Sequence, residues 1–138
     1  MAAQHPVPEV NDLTRPWWEG TKQRKFLMQH CDDCDTTFWY PREYCPGRNC
    51  MSNNLRWVEV SGKGTVHTFT VIRQAALPYF QERIPYLYAV IQLAEGPRFV
   101  SNVDCGLDEI YCGMPVESYF EDISDEYTLV KFKPAATA

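Results

Sequence analysis

Cys31-Asp32-Asp33-Cys34, ten intervening residues, then Cys45-Pro46-Gly47-Arg48-Asn49-Cys50: this stretch decides how the first half of the chain folds. Four thiolates satisfy a tetrahedral zinc ion and leave no coordination position for a substrate, so C-x2-C-x10-C-x4-C reads as a structural zinc site. The two-residue gap lets backbone N–H groups turn back onto the sulfurs, and Pro46-Gly47 supplies the tight turn of a second knuckle. Unligated thiols, a redox pair or disulfides are the competing readings. A thioredoxin-like C-x-x-C belongs in a βαβ setting, whereas Cys34 precedes the short aromatic segment Phe38-Trp39-Tyr40. Disulfides call for an oxidising compartment, and residues 1–12 are polar and proline-bearing, without the apolar stretch of a secretory signal. The expectation is a cytoplasmic chain in which Cys31, Cys34, Cys45 and Cys50 bind zinc. His30 is read as a flanking residue. Cys105 and Cys112 are read as two small, partly buried apolar side chains.

A zinc module of this size cannot bury a core by itself; metal binding would supply its folding free energy, on the order of 10–16 kcal/mol in small zinc peptides. The whole chain of 138 residues, with 14% aromatic and 22% charged side chains, is long enough to add one barrel-sized domain. No apolar run approaches the roughly 18 residues of a membrane span. The net charge of −5 is unevenly spread: residues 1–98 carry 11 basic and 10 acidic side chains, residues 99–138 carry 2 and 8. A −6 C-terminal portion repels phosphate backbones and argues against a general nucleic-acid binder.

Outward from the cysteines, the pattern is mostly β. Asn11-Asp12-Leu13-Thr14-Arg15-Pro16 predicts a turn into a helix, capped by Thr14 or Asp12, that runs through Trp17 and Trp18 to about Lys25. Phe26–His30 reads as a strand that delivers Cys31, and Phe38–Pro41 as its ribbon partner. Leu55–Val60 and Thr65–Ile72 alternate; strict alternation in the latter puts Val66, Thr68, Thr70 and Ile72 on one face and His67, Phe69 and Val71 on the other. Tyr86–Leu93 and Arg98–Val103 form a hairpin around Glu95-Gly96-Pro97. Val116–Glu121 and Tyr127–Phe132 complete the set. Short strands with Gly/Pro turns predict a five-stranded OB-fold barrel. The expected organisation is 1–25 tail and helix, 26–54 rubredoxin-like zinc ribbon, 55–134 OB-fold domain. No acid/base pair stands out: His67 reads as a packed or edge histidine, and Glu121, Asp122, Asp125 and Glu126 as a solvated loop. G-x-S-x-G, P-loop, G-x-G-x-x-G and H-E-x-x-H motifs are absent.

Taken in order, Arg15-Pro16-Trp17-Trp18-Glu19-Gly20, the four-cysteine ribbon with Pro41-Arg42 before its third cysteine, the linker ending at Trp57, Gly62-Lys63-Gly64-Thr65-Val66 and Gly113-Met114-Pro115-Val116 resemble a known family. It is the zinc-ribbon/OB-fold family once labelled a domain of unknown function, whose members accompany thiolase-like enzymes, acyl-CoA aldolases and MaoC-type hydratases. The resemblance spans residues 12–134; the second knuckle is two residues longer than the family's usual C-P-x-C. It implies a non-catalytic accessory subunit in a hetero-oligomer. Such a subunit binds a thiolase-like partner and helps form its acyl-CoA site, with a coenzyme A thioester as shared ligand and no membrane or nucleic-acid partner. The chemistry, C–C bond formation or cleavage in lipid or aromatic degradation, would belong to the partner. The acyl group stays open.

Contact residues for coenzyme A or the partner are sought among exposed aromatics and arginines. The connection 73–85 is long for a hairpin; Arg73 and Arg83 suit phosphate oxygens, Tyr79 and Phe80 suit a ring or a pantetheine arm. An ordinary solvated loop is the other reading. Trp17 and Trp18 are either a contact surface or simple packing, and Lys22, Arg24 and Lys25 either a second anion cluster or charge compensation at a helix C-terminus. Two other classes remain: a single-stranded nucleic-acid-binding OB module, and a stand-alone acyl-CoA hydratase or thioesterase.

Overall fold

The computed structural model describes residues 4–136. The helix α1 (Arg15–Lys22) comes first. Thr14 is its N-cap residue, as expected, but makes no side-chain cap bond; Asn11 braces the turn before it, its side-chain oxygen accepting from the Thr14 N–H at 2.9 Å. The helix ends earlier than expected. Arg24 takes a left-handed φ of 61°, the Lys25 N–H reaches the Gly20 carbonyl and the Arg24 N–H that of Thr21. This Schellman-type closure turns the chain back over the helix, and without a glycine to mark it the sequence gives no warning.

The ribbon follows as β1 (Leu27–Cys31), β2 (Thr36–Phe38) and β3 (Leu55–Glu59), a three-stranded antiparallel sheet in the order β2-β1-β3. The segment Leu55–Glu59 thus pairs with the ribbon, Leu27 opposite Glu59 and Cys31 opposite Leu55.

Five strands then curl into a barrel: β4 (Lys63–Ile72), β5 (Tyr86–Leu93), β6 (Arg98–Ser101), β7 (Pro115–Asp122) and β8 (Thr128–Pro134), in the order β6-β5-β4-β7-β8. A parallel bridge between Val103 and Phe132 joins the two ends. The Asp104 N–H donates to the Phe132 carbonyl at 2.7 Å, and the Phe132 N–H to that of Asn102 at 3.0 Å. With an N-terminal helix and a four-cysteine ribbon ahead of it, this is the mostly β, OB-type architecture the sequence predicts.

One facing differs. The β4–β5 register slips between Val66 and Thr68, so His67 is the extra residue of a bulge and is exposed. Beyond it the alternation inverts: Phe69 and Val71 pack on the core with Val66, while Thr68 and Thr70 face out. A bulge adds one residue and exchanges the two faces of a strand.

A single core joins the parts. Trp17 from α1 and Phe26 and Met28 from the ribbon meet Val66, Ile91, Phe99, Val116 and Phe132 of the barrel. Trp17 stacks within 5.7 Å of Phe26, Trp39 and Phe99. The ribbon therefore stands on the barrel as a fixed body. A smaller cluster, Cys31, Phe38 and Cys45 with Cys50 and Leu55, surrounds the sulfurs.

Candidate metal centre and ligand cleft

β1 ends on Cys31, and the turn behind it brings Cys34 round by letting Asp35 adopt φ 54°. The second knuckle carries Cys45 and Cys50, with Asn49 and Met51 also left-handed. All four sulfurs lie within 4.8 Å of one another. The Cys31–Cys50 and Cys34–Cys45 separations are 3.7 and 3.4 Å. A tetrahedron of sulfurs about 2.3 Å from zinc has edges of about 3.8 Å, so the donor set fits that ion. The two extra residues in the second knuckle do not displace Cys50 from the set. Gly47 makes the longer loop fit: a Cβ there would stand 3.1 Å from both Cys34 and Cys45 sulfurs. Its N–H donates to Cys45 Sγ at 3.2 Å.

The electrostatics point the same way. Burial opposes a thiolate at Cys31, but N–H groups of Cys34 and Asp33 donated to its sulfur outweigh it and bring the thiol down to about 7. At Cys45 burial dominates and pushes the thiol up to about 12. Several thiolates packed this closely ionise together only around a cation. His30 stays outside the set, its Nδ1 2.8 Å from Thr37 Oγ1 and its Nε2 3.1 Å from Asp35.

A second feature lies on the barrel. The 73–85 connection folds into a short helix, α2 (Pro78–Gln81), which walls a cleft of about 510 Å³. Tyr79, Phe80 and Tyr86 give the aromatic wall; Asp104, Tyr119 and Lys131 give the polar end. Arg83 is already engaged: its guanidinium lies 3.5 Å from the Tyr79 ring centroid, and Nη1 donates to the Tyr79 carbonyl at 2.7 Å. Arg73 lies apart, beside Gln74, Gln81 and Ile84. Tyr79, Phe80 and Arg83 thus share one cleft, and Arg73 does not join them. Trp18, edge-on to Tyr127 at 5.4 Å, lines an adjoining aromatic groove with Trp39, Tyr40 and Tyr88. Trp17 also borders that groove but is only 6% exposed.

Several lining residues escape the sequence. Tyr119 and Glu121 alternate on β7, and Lys131, opposite Tyr119 on β8, reaches diagonally to Glu121 at 2.5 Å; only the register of that hairpin reveals them. Burial, with Asp104 and Glu121 nearby, pushes the Tyr119 phenol up to about 12. Glu121 and Asp122 do not belong to a solvated loop, because β7 runs on through Asp122. Asp122 accepts from both arginine nitrogens of Arg24 and from Thr128 Oγ1. Lys22 donates to the Asp125 carbonyl, so the Lys22–Arg24 cluster ties α1 to the β7–β8 turn. Cys105 is half-buried, its thiol raised by burial, whereas Cys112 is exposed.

The cleft gathers hydrogen-bond donors, acceptors and rings, the kind of lining a ligand site has. No described helix is long and apolar enough to cross a membrane.

Comparison with known proteins agrees with both halves. Residues 18–53 match the ChsH2 rubredoxin-like zinc ribbon domain, and residues 57–121 the ChsH2 C-terminal OB-fold domain. A DUF35 domain-containing scaffold protein of Methanocaldococcus jannaschii is 35% identical over 112 residues, 79% of this chain and 77% of that protein. A probable enoyl-CoA hydratase alpha subunit of Thermomonospora curvata is 36% identical over 134 residues, but the chain spans only 41% of its length. Among solved structures, a chain of the Ltp2-ChsH2(DUF35) aldolase superposes with a TM-score of 0.84 at 34% identity, covering 94% of this chain and 100% of that one. With both domains matched and the archaeal scaffold relative covered over 77% of its length, the chain belongs to the DUF35 family of ChsH2-type zinc-ribbon/OB-fold proteins.

Proposed function

We propose that this chain is an accessory subunit of an acyl-CoA enzyme that makes or breaks C–C bonds. It docks on a thiolase-like partner and lends its barrel face to the partner's acyl-CoA site. The observation that carries the reading is the likeness, over the full length of that chain, to a component of an aldolase assembly. The scaffold naming of the archaeal relative supports it. So does the chemistry: four of the six cysteines are gathered at one metal centre, and the cleft offers aromatic and polar recognition groups. Zinc, held by Cys31, Cys34, Cys45 and Cys50, would offset half of the thiolate charge and fix the ribbon's angle to the barrel. Tyr79, Phe80 and Arg83 are the groups we assign to the coenzyme A thioester, with Trp18 at the apolar end.

Co-expression with a thiolase-like candidate partner tests this. A stable complex whose acyl-CoA activity exceeds that of the partner alone is expected. Full activity of the isolated partner, or turnover of a thioester by this chain alone, would overturn it. The hydratase relative favours a second reading, service to an enoyl-CoA hydratase, which a hydration assay on the reconstituted complex separates from C–C chemistry.

A further inference from the structure

His5 borders three depressions on the α2 side of the barrel: the cleft that ends at Asp104, Tyr119 and Lys131, a second cleft beside the β7–β8 turn, and the aromatic groove near Trp39, Tyr40 and Tyr88. Its ring stands edge-on to Tyr79 at 4.6 Å and to Phe80 at 5.6 Å. Phe80, Asn102 and Lys131 line both the first cleft and the groove. The two thus share a wall, and the His5 side chain borders both sides of it.

The segment that carries His5 is lightly attached. Residues 4–10 form neither helix nor strand, and among the described residues no backbone–backbone hydrogen bond ties them to the barrel. The Tyr127 hydroxyl donates to the Pro8 carbonyl at 2.9 Å, while His5 Nδ1 is spent on the neighbouring Pro6 carbonyl. Pro6 and Pro8 have no N–H to give a sheet, and Val7 is half exposed. Few buried contacts and no ladder bonds put such a segment at the low-stability end of the molecule.

We infer that residues 4–10 are a displaceable strap over a single amphipathic channel. With the strap lifted, the channel runs unbroken from the Trp39, Tyr40 and Tyr88 end to the Tyr119 and Lys131 end. It then takes an elongated amphiphile, apolar part among the rings and polar part at the phenol and the ammonium. That this amphiphile is an acyl-CoA thioester rests on the function proposed above; the strap does not. Because only the open fraction is competent, the strap lowers the channel's apparent affinity by that fraction.

The test uses the zinc-loaded chain, the same chain lacking residues 1–10, and His5→Gly in the full chain, each titrated with the amphiphilic dye anilinonaphthalene sulfonate. The truncated chain is expected to bind one dye about tenfold more tightly than the full chain, with His5→Gly in between. Tyr88→Glu in the truncated chain is expected to abolish that site. Equal affinity in all three chains, or a gain that survives Tyr88→Glu, overturns the strap. If truncation unfolds the chain by circular dichroism, His5→Gly decides alone: no gain in affinity overturns it. Partner retention separates the two ideas. A dye gain without partner binding leaves the strap and sinks the accessory role; partner binding without a dye gain does the reverse.

Discussion

The Arg24 guanidinium grips Asp122 with two parallel hydrogen bonds, Nη1 to Oδ1 at 2.9 Å and Nη2 to Oδ2 at 2.6 Å. The left-handed turn that ends α1 aims Arg24 at the last residue of β7, and its guanidinium also lies 5.9 Å from the Phe120 ring centroid. This fork joins helix to barrel across 98 residues of sequence.

Asp122 reports on that joint. Hydrogen bonds from Arg24 first, then from Thr128, hold its carboxyl at about 2. A depressed carboxylate contributes stability above its unfolded value, about 3.9, and loses it as pH falls through the folded value. The contribution is thus complete above about pH 4 and gone below about pH 2. Carboxyl-carbon NMR titration checks the value, and Arg24→Gln is expected to return it toward the ordinary carboxylate range.

Zinc content checks the ribbon. One ion per chain is expected, and Cys50→Ser should weaken zinc binding at least about 100-fold, more than loss of a group behind the ligands costs. Cys112→Ser should leave it unchanged, because Cys112 lies outside the cluster. Gly47→Ala places a methyl against two sulfurs and is expected to weaken binding about tenfold. Competition with a chromogenic chelator measures all three.

Gly62 is a backbone requirement. It sits at φ 77°, and a Cβ would fall 2.0 Å from Ser118 Oγ. Gly62→Ala should destabilise the fold by about 2 kcal/mol through left-handed strain and the clash together. Gly96→Ala has open space around it and carries only the strain, about 1 kcal/mol. Urea unfolding of the two variants measures the difference.

Tyr119 reports on the cleft's burial and acidic surroundings. Its phenol should ionise at about 12, against about 10 for a free tyrosine, because burial disfavours the phenolate. Tyr119→Phe is expected to remove one late component from the alkaline near-ultraviolet titration. If the late component persists, the phenol is not the buried group.

The metal site was legible because ligand chemistry is local: four cysteines at knuckle spacing name the ion before any fold is known. The strands were legible for the same reason, from alternation and Gly/Pro punctuation. His67 shows where that logic stops. A bulge leaves no mark in composition, yet it exchanges the faces of β4 and sends Phe69 inward in place of Thr68. The end of α1 at Arg24 was hidden because an arginine, not a glycine, takes the left-handed turn. The cleft was half hidden. Tyr79, Phe80 and Arg83 fall in one suspicious loop, but Tyr119 and Lys131 join them only through the register of β7 and β8. His5 arrives from a segment whose sequence looks like an idle tail.

The most direct measurement is acyl-CoA turnover by the proposed thiolase-like partner, assayed alone, with this chain, and with this chain after zinc removal. Activity that rises on adding the zinc-loaded chain, falls back without zinc and is absent from the chain by itself is the expected result. A partner equally active in all three mixtures, or a thioester consumed by this chain unaided, would contradict the assignment of bond-making to another polypeptide.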